Sequence, residues 1–125
     1  MRKVLLIDDA SEIARLVALC LEPLGVEVVH AEDLAAALEM ARGVDVGLVL
    51  LDLALENEDG LEILPHLRDE PSLKDVPVIA FTAHDSRRRE ALDRGVDSFL
   101  VRPFSSGDLR STVEVHLLRA EGDAE

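Results

Sequence analysis

The sequence predicts a single α/β domain in which helices cover both faces of a parallel five-stranded sheet. Five apolar runs of strand length alternate along the 125-residue chain with five segments whose apolar residues recur at helical spacing. Such alternation is typical of βαβ units with right-handed crossovers, which build doubly wound sheets. The most apolar run, Val46–Asp52, carries no ionisable residue before its last position, and this indicates a central strand buried on both faces.

Turn and cap residues divide the first half of the chain into two strands and two helices. Residues 3–7 form the first predicted strand, and the β-branched side chains within 26–30 indicate the second. The expected cap and stop of each helix are Ser11 and Gly25 for the first, and Asp33 and Gly43 for the second.

The second half of the chain continues the alternation. Leu61, Leu64 and Leu67 indicate a third helix, although Pro65 removes a backbone donor and would kink the helix outside its first turns. Pro77 opens the fourth strand, where a missing N–H does little harm. The remaining boundaries are Asp85 or Ser86 as the cap and Gly95 as the stop of a fourth helix, residues 98–101 as the fifth strand, and Ser105 with Asp108 as the capping box of a final helix ending near Leu118.

Charge and cysteine content limit the partners and the compartment. The formal net charge of -13 argues against direct binding to nucleic acid or to an anionic membrane, because phosphate groups would repel the protein. Asp8 and Asp9 interrupt the N-terminal apolar stretch, so we expect neither a signal peptide nor a membrane span. Cys20 lies on an apolar helix face, and we expect a buried core thiol in a reducing compartment, the cytoplasm.

Three carboxylates stand at the ends of predicted strands. Asp8 and Asp9 follow the first strand and Asp52 ends the third, so parallel strands bring them to one edge of the sheet. Repulsion disfavours such a cluster without a cation, and oxygen ligands suit Mg²⁺. In a second interpretation, these residues only cap the first helix or lie in a solvated loop. With Thr82 and Arg102 at neighbouring strand ends, the cluster favours a site that accepts a phosphoryl group on Asp52.

The order of these motifs resembles the receiver domain of two-component response regulators, the CheY-like family. The matching positions are Asp8-Asp9, Asp52, Asp59-Gly60, Thr82-Ala83 and Pro103-Phe104. The resemblance implies a receiver domain over residues 1–120, leaving an acidic tail over 121–125 that we expect to fray. It also implies the flavodoxin-like strand order 2-1-3-4-5, and phosphorylation of Asp52 by a sensor histidine kinase or a phosphotransfer protein. A receiver catalyses only its own phosphorylation and dephosphorylation, so no other enzymatic activity is expected.

The resemblance also implies roles for individual residues. The implied Mg²⁺ ligands are Asp9 and Asp52 directly, Asp8 mostly through water, and the backbone carbonyl of Ala54. Thr82 would bind a phosphoryl oxygen, and Phe99 would be the aromatic side chain that changes rotamer on activation.

Several positions depart from the family pattern. Arg102 replaces the usual lysine, and its larger planar fork is expected to preserve phosphorylation while weakening the coupling to the switch. Glu56 stands where a proline is frequent, so the loop after Asp52 is expected to be more mobile and more acidic than usual. Ala54 and His84 occupy positions that influence the access of water to the phosphoryl group in this family. Ala54 offers no side chain for this purpose, whereas His84 either positions water or points to solvent.

A dense basic cluster formed by Arg87, Arg88 and Arg89 stands out in the acidic sequence. In one interpretation the cluster is a solvated face, as most charge runs are. In the other, it belongs with Phe99 to a partner surface formed by the fourth helix, the fifth strand and the last helix. The downstream protein that would bind there is unknown.

Three functions remain open. The first is a stand-alone receiver, since no output domain follows Glu125. The second is a receiver-like adaptor in which Arg102 reflects a switch that no longer depends on phosphate. The third is an enzyme such as a Mg²⁺-dependent phosphatase, or a nucleotide-binding protein. The sequence disfavours the third, because Asp52-Leu53-Ala54 lacks a second aspartate and Asp8-Asp9-Ala10-Ser11 replaces a glycine-rich phosphate loop.

Overall fold

The computed structural model describes residues 2–56 and 58–123 and contains one sheet of five parallel strands. The strands are β1 (Lys3–Ile7), β2 (Val28–Ala31), β3 (Val46–Asp52), β4 (Val78–Thr82) and β5 (Ser98–Val101). They lie in the order β2-β1-β3-β4-β5, so the predicted fold class and strand order are confirmed. β2 begins at Val28, two residues later than predicted. Pro77 immediately precedes β4, where its carbonyl accepts a hydrogen bond from the amide of Val49.

Five α-helices cover the two faces of this sheet. They are α1 (Ser11–Leu21), α2 (Leu34–Gly43), α3 (Gly60–Asp69), α4 (Arg88–Asp93) and α5 (Ser106–Asp123). Two short 3-10 turns, Glu22–Leu24 and Asp85–Arg87, follow α1 and precede α4. Pro65 lies in the second turn of α3, and the helix continues past it to Asp69. No helix in the described part of the chain is long and apolar enough to cross a membrane.

β3 forms the centre of the core because its side chains pack on both faces of the sheet. Val49 and Leu51 lie in the hydrophobic cluster that includes residues of α2, α3 and α4. Leu48 and Leu50 lie in the opposite cluster, which includes residues of α1 and α5. This alternation follows from the two-residue period of a strand, and all of β3 is buried as predicted.

The predicted helix caps are confirmed at two helices. Asp33 accepts a hydrogen bond from the amide of Ala36 at the start of α2, at 2.9 Å. Ser105 accepts one from the amide of Asp108 at the start of α5, at 3.0 Å. Each side chain satisfies a backbone donor that the first helical turn leaves unpaired.

The predicted caps of α1 and α4 are wrong. Ser11 is the first residue of α1 and not its cap; the capping residue is Ala10, without a side-chain cap. The side chain of Asp8 accepts a hydrogen bond from the amide of Ala10 in the turn before the helix. Asp85 and Ser86 belong to the 3-10 turn before α4, and the capping residue of α4 is Arg87, without a side-chain cap. The chain therefore tightens into a 3-10 turn where the sequence suggested a capped α-helix.

Glycine residues follow two of the helical segments where the sequence predicts a stop. Gly25 and Gly95 have φ angles of 70° and 102°, which favour glycine, and they follow helical segments as expected. α5 extends to Asp123, beyond the predicted end near Leu118. The fraying of residues 121–125 stays a prediction. Residues 124 and 125 lie outside the described residues. Cys20 packs against the core but is half-buried, not fully buried as predicted.

Candidate functional site

The carboxyl ends of the central strands bring the predicted site residues together. Asp8 follows β1, Asp52 ends β3, Thr82 ends β4 and Arg102 follows β5. Carboxylate oxygens of Asp8, Asp9 and Asp52 lie within 4.8 Å of one another. The three carboxylates therefore meet at one edge of the sheet, as the strand ends in the sequence predict.

Backbone amides in the adjoining loops hold one oxygen of each carboxylate. Asp8 accepts a hydrogen bond from the amide of Ala10 at 2.8 Å, and Asp52 accepts one from the amide of Ala54 at 2.9 Å. These local bonds are typical of aspartate at a turn. The third bond is long-range, since Asp9 accepts from the amide of Glu56 at 2.7 Å.

Burial makes ionisation of two of these carboxylates costly. Asp8 is 1% exposed and Asp52 is 6% exposed. Desolvation raises the pKa of both groups, and the negative charge of Asp9 raises it further. The hydrogen bonds from backbone amides and the positive charge of Arg102 offset part of this rise. The cluster is therefore a place where an additional cation is favoured.

Arg102 already supplies one positive charge to the cluster. Its Nη2 atom lies 3.0 Å from Oδ2 of Asp8 and 3.6 Å from Oδ2 of Asp52. The guanidinium carbon lies 4.7 Å from the centroid of the Phe81 ring on β4, which is a cation–π contact. The larger fork of arginine is thus accommodated by contacts on two sides, which sequence reasoning did not foresee.

Thr82 and Phe99 occupy different parts of the β4–β5 region. Thr82 is buried, and its hydroxyl oxygen accepts a hydrogen bond from the amide of His84 at 3.4 Å. His84 itself is exposed. Phe99 on β5 pairs in register with Ala80 on β4, whereas Phe81 pairs with Leu100. Phe99 is buried under the guanidinium of Arg88, which lies 5.1 Å from the ring centroid.

The basic cluster at α4 is divided into three different environments. Arg87 binds both oxygens of Asp59, at 2.9 and 3.0 Å. Arg88 pairs with Asp85 at 2.8 Å while covering Phe99. The side chain of Arg89 is 93% exposed. Arg87 is therefore half-buried, whereas Arg88 and Arg89 are exposed and fit the description of a solvated face.

The donor set fits a magnesium ion. Asp8, Asp9 and Asp52 offer three carboxylates, and each has one oxygen that is not used by the backbone bonds described above. Mg²⁺ prefers oxygen ligands and is usually held by one or two carboxylates together with water. The residues present are therefore suited to this ion.

A family model described as the response regulator receiver domain matches residues 4–114 of the chain. The chain belongs to this receiver family. Members of the family act in two-component signalling, are phosphorylated on an aspartate by histidine kinases, and generally bind Mg²⁺ at an acidic pocket. The matched range contains every site residue discussed above.

Known receivers resemble this chain in sequence and in structure. The KDP operon transcriptional regulatory protein KdpE of Escherichia coli (strain K12) is 36% identical over 95% of this chain and 52% of that protein. The phosphate regulon transcriptional regulatory protein PhoB of the same organism is 30% identical over 94% of this chain and 52% of that protein. The chain thus spans about half the length of these curated relatives.

Solved receiver structures superpose closely on the fold. The chemotaxis response regulator CheY4 of Vibrio cholerae has a TM-score of 0.82 and 27% identity, covering 93% of this chain and 98% of that chain. NtrX from Brucella abortus has a TM-score of 0.87 and 28% identity, covering 99% of this chain and 29% of that chain. The receiver fold thus occurs both as most of a chain and as a part of a longer one.

Proposed function

We propose that this receiver accepts a phosphoryl group on Asp52 from a sensor histidine kinase or a phosphotransfer protein. The observation that supports this most is the position of Asp52 at the end of β3, within one cluster with Asp8 and Asp9. Its Oδ1 is held by the amide of Ala54, and its Oδ2 lies near Arg102. A fixed carboxylate beside positive charge is arranged to act as a nucleophile toward a phosphoryl group.

In the proposed step, an oxygen of Asp52 forms a bond to phosphorus while the bond from phosphorus to the donor histidine nitrogen breaks. The imidazole keeps the electron pair of that bond and takes up a proton from solvent. The hydroxyl of Thr82 donates a hydrogen bond to one phosphoryl oxygen, and the guanidinium of Arg102 neutralises charge on another. These residues would also serve the later hydrolysis, which is the only other reaction proposed.

Asp8, Asp9 and Asp52, with the backbone carbonyl of Ala54, would hold Mg²⁺ at this site. When bound, the ion would neutralise charge on the phosphoryl oxygens. Ala54 is exposed and adds no polar side chain near the site, while the exposed His84 is free to position water. We therefore propose that the rate of hydrolysis depends on His84 more than on Ala54.

The proposed output is a protein contact made by α4, β5 and α5. Arg89 is the exposed member of the basic cluster, and Phe99 lies beneath its neighbour Arg88. A rotamer change of Phe99 would require Arg88 to move, so the surface would change when the ring moves. The partner is an unidentified downstream protein, and the net charge of -13 disfavours direct contact of this domain with nucleic acid or a membrane. We place this activity in the cytoplasm, where the free thiol of Cys20 would stay reduced.

A phosphate-independent adaptor is the second candidate, and one observation favours it. Arg102 already neutralises part of the charge of Asp8 and Asp52 through the contacts described above. A receiver-like domain with such an internal cation could hold one conformation without a phosphoryl group. The two candidates predict different chemistry at Asp52.

Intact-mass analysis after incubation with acetyl phosphate separates the two candidates. The samples are the wild type, Asp52→Ala and the control Asp75→Ala, an exposed aspartate outside the cluster, each with and without Mg²⁺. We expect a single Mg²⁺-dependent phosphoryl adduct on the wild type and the control, and none on Asp52→Ala. No adduct on a folded wild type that binds Mg²⁺ would contradict the proposal and favour the adaptor.

A further inference from the structure

Arg102 lies where two buried carboxylates share one cationic group. Its Nη2 atom contacts Oδ2 of Asp8 at 3.0 Å and lies 3.6 Å from Oδ2 of Asp52. The same carboxylates, with Asp9, form the group whose oxygens lie close enough together to hold a metal ion. The guanidinium therefore faces oxygens that a divalent cation would also need.

We propose that Arg102 is a built-in counter-cation that competes with Mg²⁺ for Asp8 and Asp52, and thereby sets the affinity of the receiver for the ion. This inference rests on the metal site of the proposed function. Two positive groups at the same carboxylates repel each other, and burial weakens the screening of that repulsion by water. Binding of the ion therefore requires the guanidinium to withdraw from at least one carboxylate.

Contact with the Phe81 ring holds Arg102 beside the carboxylates for which it competes with Mg²⁺. The guanidinium carbon lies 4.7 Å from the centroid of the Phe81 ring, where a planar cation stacks favourably on the aromatic face. The ring and the Asp8 carboxylate together fix the guanidinium beside the cluster. A lysine ammonium would lack the planar surface for this stacking. Arginine at this position therefore lowers the resting affinity for Mg²⁺ relative to lysine.

The Nε atom of Arg102 indicates how the competitor is released. Among the described residues it is a buried side-chain nitrogen without a hydrogen-bond partner. An unpaired buried donor carries a desolvation cost, which disappears when the group reaches water. The Arg102 side chain is 31% exposed, so movement toward solvent is open to it. Once displaced by the ion, the guanidinium becomes available to the oxygens of an incoming phosphoryl group.

Mg²⁺ titration by calorimetry tests the competition directly. The variant is Arg102→Met, which removes the charge and keeps an apolar side chain that packs on Phe81. The control is Arg42→Met, which removes the same charge from a 65% exposed side chain paired with Glu70. We expect Arg102→Met to lower the Kd for Mg²⁺ by about tenfold or more, a typical coupling between two ligands. The control should match the wild type, and an unchanged or higher Kd in Arg102→Met would overturn the proposal.

A measurement on the wild type covers the case in which Arg102→Met does not fold. The Nε–Hε signal of Arg102 is followed by NMR during Mg²⁺ titration, with Arg102→Lys used to assign it. We expect the signal to move and to saturate with the same Kd as the calorimetric heat. A signal that stays in place while the ion binds would show that the guanidinium does not withdraw, and would refute the competition.

The outcomes separate this inference from the proposed function. Tighter Mg²⁺ binding in Arg102→Met without a phosphoryl adduct in the wild type would support the competition and contradict phosphorylation. A Mg²⁺-dependent adduct on Asp52 with equal Mg²⁺ affinity in wild type and Arg102→Met would support phosphorylation and contradict the competition.

Discussion

Arg87 donates one hydrogen bond to each oxygen of Asp59, at 2.9 and 3.0 Å, and so joins the loop after β3 to the turn after β4. Asp59 also accepts a hydrogen bond from the amide of Leu61 as the cap of α3. The Arg87 guanidinium holds the pKa of Asp59 below its usual range. A two-bond arginine–carboxylate pair is more specific in geometry than a single contact. The two loops that flank Asp52 and Thr82 are thus linked by one side chain.

Removal of this link should destabilise the fold modestly. Both side chains are partly exposed, so solvent screening limits the loss, and we expect Arg87→Met to lower the free energy of unfolding by about 1 kcal/mol. Urea unfolding at neutral pH measures the change. Arg89→Met is the control, because its side chain is 93% exposed and should have little effect. Equal destabilisation by both variants would show that the pair with Asp59 contributes nothing specific.

Gly60 is required because the backbone that carries Asp52 passes very close to it. A Cβ atom at Gly60 would lie 2.5 Å from the carbonyl oxygen of Asp52 and 2.6 Å from Cα of Leu53. Backbone atoms cannot move aside without distorting the chain. We therefore expect Gly60→Ala to lower the free energy of unfolding by about 1–3 kcal/mol. Thermal or urea unfolding measures this cost, and slower phosphorylation should accompany it. Gly43→Ala is the matched control, since nothing lies within 4 Å of its Cβ position. A neutral Gly60→Ala would contradict this close approach.

The buried carboxylates predict a specific dependence of stability on pH. Burial raises the pKa of Asp52 in the folded protein above its value in the unfolded chain. Between these two values the folded state binds more protons than the unfolded state, so this group stabilises the fold increasingly as the pH falls. In metal-free buffer, Asp52→Asn should therefore be more stable than the wild type at neutral pH, and the difference should shrink on acidification.

Urea unfolding of both proteins with EDTA, from neutral pH to about pH 5, measures this difference. Asp75→Asn removes an exposed carboxylate and serves as the control. A wild type that is more stable than Asp52→Asn at neutral pH would show that ionised Asp52 does not strain the fold.

Arg89 tests the proposed partner surface without disturbing the contacts beneath it. Its only described ion pair is a 3.9 Å contact with Asp93, whereas Arg87 and Arg88 are tied to other side chains. We expect Arg89→Ala to leave phosphorylation unchanged and to weaken the binding of the phosphorylated domain to its downstream protein. The measurement is a pull-down with that partner, and Lys74→Ala is the control at an exposed residue before β4. Unchanged binding would show that Arg89 is not part of the partner surface.

The sequence was sufficient for the parts of the site that depend on strand ends. Asp8, Asp52 and Thr82 each follow or end an apolar run, and parallel strands bring such ends to one edge. Hydrophobic periodicity and turn residues are enough to predict where each strand ends. The α1 cap was wrong by one residue, because the helix begins at Ser11 itself and Ala10 is the capping residue.

Contacts between distant segments could not be predicted in this way. Arg87 and Asp59 are 28 residues apart, and nothing in a run of three arginines distinguishes the one that turns inward. The stacking of Arg102 on Phe81 likewise depends on the register of β4 and β5. Such contacts depend on side-chain packing across the sheet. Hydrophobic periodicity and turn residues describe only neighbouring positions in the sequence and do not predict this packing.

Localisation of the phosphoryl group shows directly whether Asp52 is the nucleophile. After incubation with acetyl phosphate and Mg²⁺, hydride reduction converts an aspartyl phosphate to homoserine, and peptide mass analysis identifies the altered position. We predict homoserine at position 52 alone, because Asp52 lies at the end of β3 beside Arg102 with one oxygen held by the Ala54 amide. Homoserine at position 8 or 9, or at none of the three aspartates while Mg²⁺ is bound, would contradict the assignment of Asp52 as the nucleophile.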